Sequence, residues 1–257
     1  MIYFLIRAAQ TRKKRLFFAV GIMWGIAVMF RATMAVMGLV ILAYLLFKKT
    51  GTKNIIKFAV CIMIPLMIIL SPWIIRNFIV FDRFIPLTIS SGNPKMQGSI
   101  IDYSDEEREK LLAAVNTNDI DYGETEISAD AAEHEIASRF FKYNMRNNTA
   151  EYLRWYTIGK TIRNFSVPYM LYPIYFGTYL PVTIYHRVLI VLFMAGALFL
   201  IIRKQINAET GMLLITILVF NCIHLPYYCF SRYMYMVMCF IIMFAADILF
   251  LQKKERL

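Results

Sequence analysis

Ser71-Pro72-Trp73-Ile74-Ile75-Arg76-Asn77, continued by Ser90-Ser91-Gly92-Asn93-Pro94-Lys95-Met96-Gln97-Gly98, is where this chain turns from apolar to polar. Before it lies an almost unbroken apolar run. After it come roughly a hundred residues of mixed charge, and then the apolar blocks return. Pro72 and Trp73 read as the mark of a membrane surface, where interfacial tryptophans concentrate. The polar segment then lies on the opposite side of the membrane from the basic loops.

Composition supports this reading. Of 257 residues 59% are hydrophobic and 18% charged, and the mean hydropathy is +0.55. A soluble domain is nearer half apolar and a quarter charged. The net charge is +11, from 28 basic and 17 acidic residues. Between Trp73 and Tyr185 there are 11 Lys/Arg against 14 Asp/Glu. The positive excess therefore sits in short loops between apolar blocks, as the positive-inside rule expects. That placement argues against a nucleic-acid partner, which would need a basic face. Cys61, Cys222, Cys229 and Cys239 lie in or at the rim of apolar blocks without CxxC spacing and read as small hydrophobes.

Leu16 to Phe47 is apolar except for Arg31, and cationic clusters flank it on both ends. One straight helix of that length would reach ~48 Å, beyond a ~30 Å hydrocarbon core. The block is therefore expected to split near Arg31 into two short hairpin helices. Gly21 and Gly25 allow a neighbouring helix to come close. Arg31 is either an intramembrane cation facing a partner or a hairpin-tip residue that snorkels. Ile55 to Pro72 is expected to span outward, kinked at Pro65. His186 to Ile202, Gly211 to about Phe230, and Tyr233 to Leu251 are the remaining spans, with Gln252–Arg256 closing on the basic side.

Residues 73–184 carry helix signals of their own. Ser104-Asp105-Glu106-Glu107 is a capping box ahead of Arg108 to Val115. Ala132, Ile136, Phe140 and Tyr143 recur at helical spacing over Ala129 to Met145, with Glu135 and Arg139 four apart. Asn116 to Ser128 reads as a loop. Thr149 is expected to cap a helix over Ala150 to Asn164 that lies on the membrane surface. From Val167 to Tyr185, Pro168, Pro173 and Pro181 argue against a regular helix. Tyr169, Tyr172, Tyr175, Phe176, Tyr179 and Tyr185 fit either an interfacial aromatic belt or a sugar-binding platform. The fold class is thus all-α: a multi-spanning helical membrane protein with membrane helices in 1–72, an external helical segment in 73–184 and three membrane helices in 185–257.

No phosphate-binding glycine loop, metal-ligand spacing or nucleophile elbow is present. His134, His186 and His224 read as structural. The carboxylates of the polar segment read as solvated faces, and Asp82 as a surface partner of Arg76 or Arg83. Arg76 and Arg232 stand out at the outer headgroup level. A guanidinium holds phosphate bidentately, so the pair would suit a lipid-linked phosphate; contact with lipid headgroups is the alternative.

These residues resemble a known family. Pro72-Trp73-x-x-Arg76-Asn77, Phe84-x-Pro86-Leu87, Ser91-Gly92-Asn93 and Gly98 resemble the exit from a membrane helix in GT-C glycosyltransferases. That superfamily includes the aminoarabinose and protein mannosyl transferases. Gly21-x-x-x-Gly25 running to Arg31-Ala32 is similar to the family's Gly-rich hairpin, with Ala32 where proline is usual. Ala131–Lys160 is similar to its paired amphipathic helices, with Asn147-Asn148 in place of Asn-Pro, and Ser231-Arg232-Tyr233 to its Arg-Tyr before the last helix.

The resemblance implies inverting transfer of a sugar from a polyprenyl-phosphate donor to an acceptor on the outer face of a bacterial plasma membrane. No metal ligand is assigned, the requirement for a metal stays open, and no cofactor is named beyond that donor substrate. Arg76, Arg232, Tyr233 and Arg31 would bind the donor phosphate, and Asn77, Gly92, Asn93 and Lys160 the substrates. The bilayer and the lipid-linked sugar are the expected partners. The family's catalytic acid belongs to a first external loop, which has no counterpart here. The chain is therefore expected to be a fragment, one half of a split enzyme with a missing amino-terminal half as partner, or an inactive remnant. A non-catalytic scaffold or transporter subunit is the competing reading, and a receptor the third.

Overall fold

The computed structural model describes residues 1–166, 168 and 180–254. The expected belt of Tyr169, Tyr172, Tyr175, Phe176 and Tyr179, and the closing Glu255 and Arg256, lie outside them. Among the described residues the regular structure is helical, without a strand, so the all-α expectation is borne out. The chain packs into two compact units, Met1–Thr88 with Ile206–Val219, and Ile89–Gln205 with Phe220–Leu257.

The first unit is built on α1 (Ile2–Thr11), α2 (Lys14–Phe30), α3 (Met37–Phe47) and α4 (Thr52–Phe81). The expected break falls at Arg31, whose extended backbone caps α2 before a 3₁₀ turn, Ala32–Val36. The turn folds back onto α2, where the Trp24 indole N–H donates to the Met34 carbonyl at 2.8 Å. α2 packs on α4 through its glycines. Gly21 sits against the backbone of Ile62 and the ring of Pro65, and Gly25 against Ile69. Phe17 stacks on Phe58 with centroids 4.0 Å apart. At the end of α3, Tyr44 and Lys48 both reach the Glu209 carboxylate.

α4 corrects the sequence reading. It does not end at Pro72 but continues through both Pro65 and Pro72 to Phe81, for 30 residues. Each proline omits one helical donor, and the neighbouring turns carry the helix on. Asp82 ends it in the left-handed region at φ 49°. The returning chain is then pinned to the last turns. Trp73 Nε1 donates to the Leu87 carbonyl at 3.0 Å, and Asn77 Nδ2 to the Ile85 carbonyl at 2.9 Å. Ile64, Ile68, Ile75 and Ile79 of α4 are all exposed. A helix so apolar on its open face is suited to hydrocarbon rather than water.

In the second unit, α5 (Gly92–Gly98) packs on α7 (Glu126–Asn147), with α6 (Asp105–Ala114) alongside. Ile100, Leu111, Ile136 and Phe140 form their common core. Ser104 caps α6, accepting from the Glu107 amide at 3.2 Å, while the Glu107 side chain pairs with Lys110 instead of closing the expected capping box. α7 begins inside the expected loop, because Thr125 and Ser128 form a reciprocal cap. The Glu135–Arg139 pair forms at 3.0 Å, and Arg139 also grips Asp119 with two nitrogens at 2.7 and 3.0 Å. Arg139→Ala is expected to leave the melting temperature nearly unchanged, because exposed pairs contribute little. The same change should speed proteolysis within 116–125, the segment this fork holds down. Equal cleavage rates in both proteins would contradict the assignment.

Thr149 does not cap the next helix. It lies inside α8 (Thr149–Arg154), and its hydroxyl donates to the Met145 carbonyl. A π-helical turn, Trp155–Gly159, joins α8 to α9 (Lys160–Ser166). α10 (Leu180–Ile202) starts six residues before His186, because Pro181 falls in its first turn, where a missing N–H costs nothing. α11 (Ala208–His224) ends before Pro226, and a 3₁₀ stretch, Ser231–Val237, precedes α12 (Met238–Lys254). α10 and α12 pack together, with Phe193 edge-on to Phe244. Among the described residues α4 and α10 are long and apolar enough to cross a membrane unaided; Ala32–Phe47, Ala208–His224 and Arg232–Ala246 are apolar but shorter.

Candidate functional site

Lys160 is the best-defined polar feature of the second unit. The π turn inserts an extra residue between α8 and α9, which re-aims the side chains that follow. Lys160 is fully buried, with no carboxylate in contact among the described residues. Its ammonium donates to the Leu225 carbonyl at 2.6 Å and the Tyr227 carbonyl at 3.3 Å. It also lies 3.6 Å from the centroid of the Tyr156 ring. Burial lowers its pKa to about 7, because desolvation disfavours the charged form. The carbonyls and the ring face favour the ammonium and oppose that fall.

The segment held by Lys160 is itself built into an aromatic cluster. The Cys229 amide donates to the Tyr103 hydroxyl oxygen at 2.8 Å, and Tyr228 donates to the Pro94 carbonyl at 2.7 Å. Tyr103 stacks on Tyr228 at 4.1 Å and meets Trp155 edge-on at 5.1 Å. Asp102 and Tyr103 both have positive φ, at 52° and 56°. A non-glycine residue pays for that conformation, and here the surrounding packing holds Tyr103 in place. Burial pushes the Tyr103 phenol above its usual range.

Of the other residues singled out by the sequence, Arg232 and Tyr233 are neighbours at the start of the 3₁₀ stretch. The Arg232 guanidinium is exposed and lies over Phe230 at 4.6 Å and Tyr233 at 5.7 Å. Tyr233 stacks on His224 at 4.4 Å. Gly92 and Asn93 open α5. Gly92 is buried where a Cβ would strike the Asp130 carbonyl oxygen. Asn93 donates to Glu133 at 2.8 Å and accepts from Gln97 at 2.9 Å. Arg76, in the first unit, lies over Trp73 and Phe81 at 5.5 Å each and donates to the Asn77 side-chain oxygen at 3.0 Å. Asn77 is buried and thereby has both ends of its amide engaged. Arg31 caps α2. Arg76, Asn77 and Arg31 belong to one unit, and Arg232, Tyr233, Gly92, Asn93 and Lys160 to the other.

A further cluster escaped the sequence reading. Asp130 Oδ1 accepts from the Ser91 and Gly92 amides at 2.8 and 2.6 Å. The Ser91 hydroxyl lies 3.0 Å from His134 Nε2, and Lys95 Nζ lies 3.3 Å from His134 Nδ1. An ammonium only donates, so Nδ1 is the accepting nitrogen and Nε2 carries the proton. The imidazole therefore donates to Ser91 and does not act as its base. The group docks the start of α5 onto α7. The four-residue spacing of Asp130 and His134 was the one sign in the sequence, and it says nothing of residues 39 positions away. Among the described residues no group of His, Cys, Asp and Glu could hold a metal ion.

Residues 1–75 match the family model described as dolichyl-phosphate-mannose-protein mannosyltransferase. The match supports a GT-C-like glycosyltransferase, and over that stretch the resemblance read from the sequence is borne out. It covers α1, α2, α3 and most of α4, including Gly21, Gly25, Arg31, Pro72 and Trp73. Arg31 is thus the one named site residue inside it, and Arg76 and Asn77 follow directly. No curated protein and no solved structure compared with the chain matches it. The match covers under a third of the chain and points to glycosyltransferase activity generally.

Proposed function

We propose that this chain serves a membrane glycosyltransferase that draws its sugar from a polyprenyl-phosphate donor and delivers it on the outer membrane face. The match of residues 1–75 carries the reading. In the transfer, a base takes the proton of the acceptor hydroxyl as its oxygen bonds to the anomeric carbon. The bond from that carbon to the phosphate oxygen breaks, and the phosphate leaves with the electron pair. Cations that meet the growing negative charge lower the barrier. Arg232 is suited to that task. It is exposed, held over two aromatic rings, and has no carboxylate partner among the described residues. Arg76 has the same character in the other unit.

A non-catalytic scaffold or transporter subunit is the second reading. It is favoured by the internal engagement of Asn77, Asn93 and Lys160, whose polar atoms are bonded to the protein itself. The full chain in lipid nanodiscs separates the two. Polyprenyl phosphate is expected to bind saturably, and Arg232→Ala to weaken it about tenfold, the scale of one charge-assisted contact (about 1.4 kcal/mol). Transfer or hydrolysis of a radiolabelled polyprenyl-phosphate sugar should fall in parallel. Absence of both binding and turnover would leave the scaffold; binding unchanged by Arg232→Ala would remove that residue from the site.

A further inference from the structure

The second unit contains a cavity of about 340 Å³ that none of the residues above explains. It opens between α5, α6 and the 117–122 loop, with Tyr228 on one side. Its size is at the lower end of ligand pockets, about 300–1,000 Å³. Met96, Ile100 and Phe140, from the unit's core, form its apolar side. Its lining also includes Gln97 of α5, Asp105 and Arg108 of α6, Tyr103 and Tyr122.

Two details distinguish this lining from a packing gap. Asp105 and Arg108 are three apart on one helix, a spacing at which opposite charges ordinarily pair. Among the described residues they form no ion pair, although Lys110 of the same helix pairs with Glu107 at 2.7 Å and Arg139 of α7 is fully engaged. Both charges instead line the cavity. Second, Tyr103 reaches it from a backbone held at positive φ, and its ring is braced by Tyr228 at 4.1 Å. A rigid aromatic ring thus stands beside the Asp105 and Arg108 side chains, which form no ion pair among the described residues.

The balance of charges selects the ligand. One carboxylate and one guanidinium leave the lining without net charge, which disfavours a phosphate or a nucleotide. An acyl chain would leave both charges without a partner, at a cost for each. A pyranose ring presents hydroxyls around its edge, which both donate and accept, and an apolar C–H face. Carboxylate, guanidinium, amide and phenol complement the edge, and the tyrosine faces complement the ring.

We infer that this cavity binds a neutral saccharide of one or two rings, and that the acceptor is therefore a glycan rather than a polypeptide hydroxyl. The acceptor clause rests on the transferase reading; the binding clause does not. The test uses the full chain in lipid nanodiscs free of glycoside detergents, titrated calorimetrically without any lipid donor. The probes are the methyl glycosides of glucose, mannose, galactose and N-acetylglucosamine, maltose, glucuronate and inorganic phosphate. At least one neutral sugar is expected to bind saturably at millimolar concentration. Arg108→Ala and Tyr122→Ala, both exposed positions, should each weaken it about tenfold with the melting temperature unchanged. No saturable neutral sugar, a preference for glucuronate or phosphate, or binding indifferent to both substitutions would overturn the proposal. Sugar binding without any donor turnover would sustain the site and defeat the transferase reading. Turnover without sugar binding would do the reverse.

Discussion

Lys160→Met is expected to abolish a pH dependence of stability that the wild-type protein shows between pH 7 and about 10. In the folded protein the Lys160 pKa lies at about 7, against about 10.4 for an unfolded lysine. Between those values the unfolded chain holds a proton that the native chain has released, so stability rises with pH. From pH 7 to pH 9 the gain attributable to this group is about 2 kcal/mol. Below pH 7 both states are protonated and the cost of burying the ammonium is constant. Methionine has similar length and no titrating group, so the wild-type minus variant difference in melting temperature should grow with pH. Parallel curves for the two proteins would show that the native lysine does not titrate there.

The same substitution has a structural consequence. It removes the donor from the Leu225 and Tyr227 carbonyls, each worth about 1–3 kcal/mol if left buried and unpaired. Those carbonyls open the segment that leads through Cys229 to Arg232. Amide exchange at Cys229, whose N–H is bonded to Tyr103, should accelerate about tenfold or more in the variant. Arg232 would then lose its fixed place over Phe230. On the proposed transferase reading, Lys160 would bear on a phosphate site through the position of Arg232.

Gly21→Ala should be the most damaging small substitution in the first unit. A Cβ at Gly21 would overlap the Ile62 carbonyl oxygen and come within 2.6 Å of the Pro65 ring. Both obstacles are stiff, one being backbone and the other a ring fused to it. Alanine gains about 1 kcal/mol in helix propensity over glycine, but overpacking of this kind costs about 1–3 kcal/mol or more. Net destabilisation is expected, because α2 must move off α4. Gly25 is the internal comparison. Its Cβ would meet the Ile69 side chain at 3.1 Å, which a few tenths of an ångström of movement relieves. Gly25→Ala should therefore stay within about 1 kcal/mol of wild type. Thermal unfolding in detergent compares the two directly, and equal melting temperatures for both variants would refute the close approach at Gly21.

Much of the helical outline was open to reading. The break at Arg31 followed from length against hydrocarbon thickness, and the Gly21–Gly25 contact from small residues four apart. Ser104 and the Glu135–Arg139 pair are local signals, complete within one turn. Misses occurred where a local rule met a longer-range compensation. Pro72 marks the end of the expected outward span, and Pro181 belongs to a stretch whose prolines argue against a regular helix. A helix 30 residues long carries two prolines internally, and a first turn accepts one at no cost. Thr149 follows a polar pair, but its hydroxyl bonds back to Met145 rather than forward to the next turn.

Local residue patterns suffice to specify an all-helical chain, apolar enough for a membrane and interrupted by a polar helical segment. Helix formation and amphipathicity depend on neighbours within a few positions, so the information is local. Which polar groups are engaged inside the protein, and which remain available, depends on long-range packing. Lys160 looks like any lysine of a surface helix until a π turn rotates it towards carbonyls 65 and 67 residues away. Asp105 and Arg108 look like an ordinary solvated pair until three separate segments enclose a cavity in front of them. A buried charge and an open pocket are both set by what packs opposite, and that partner is chosen by the whole fold rather than by the residues on either side.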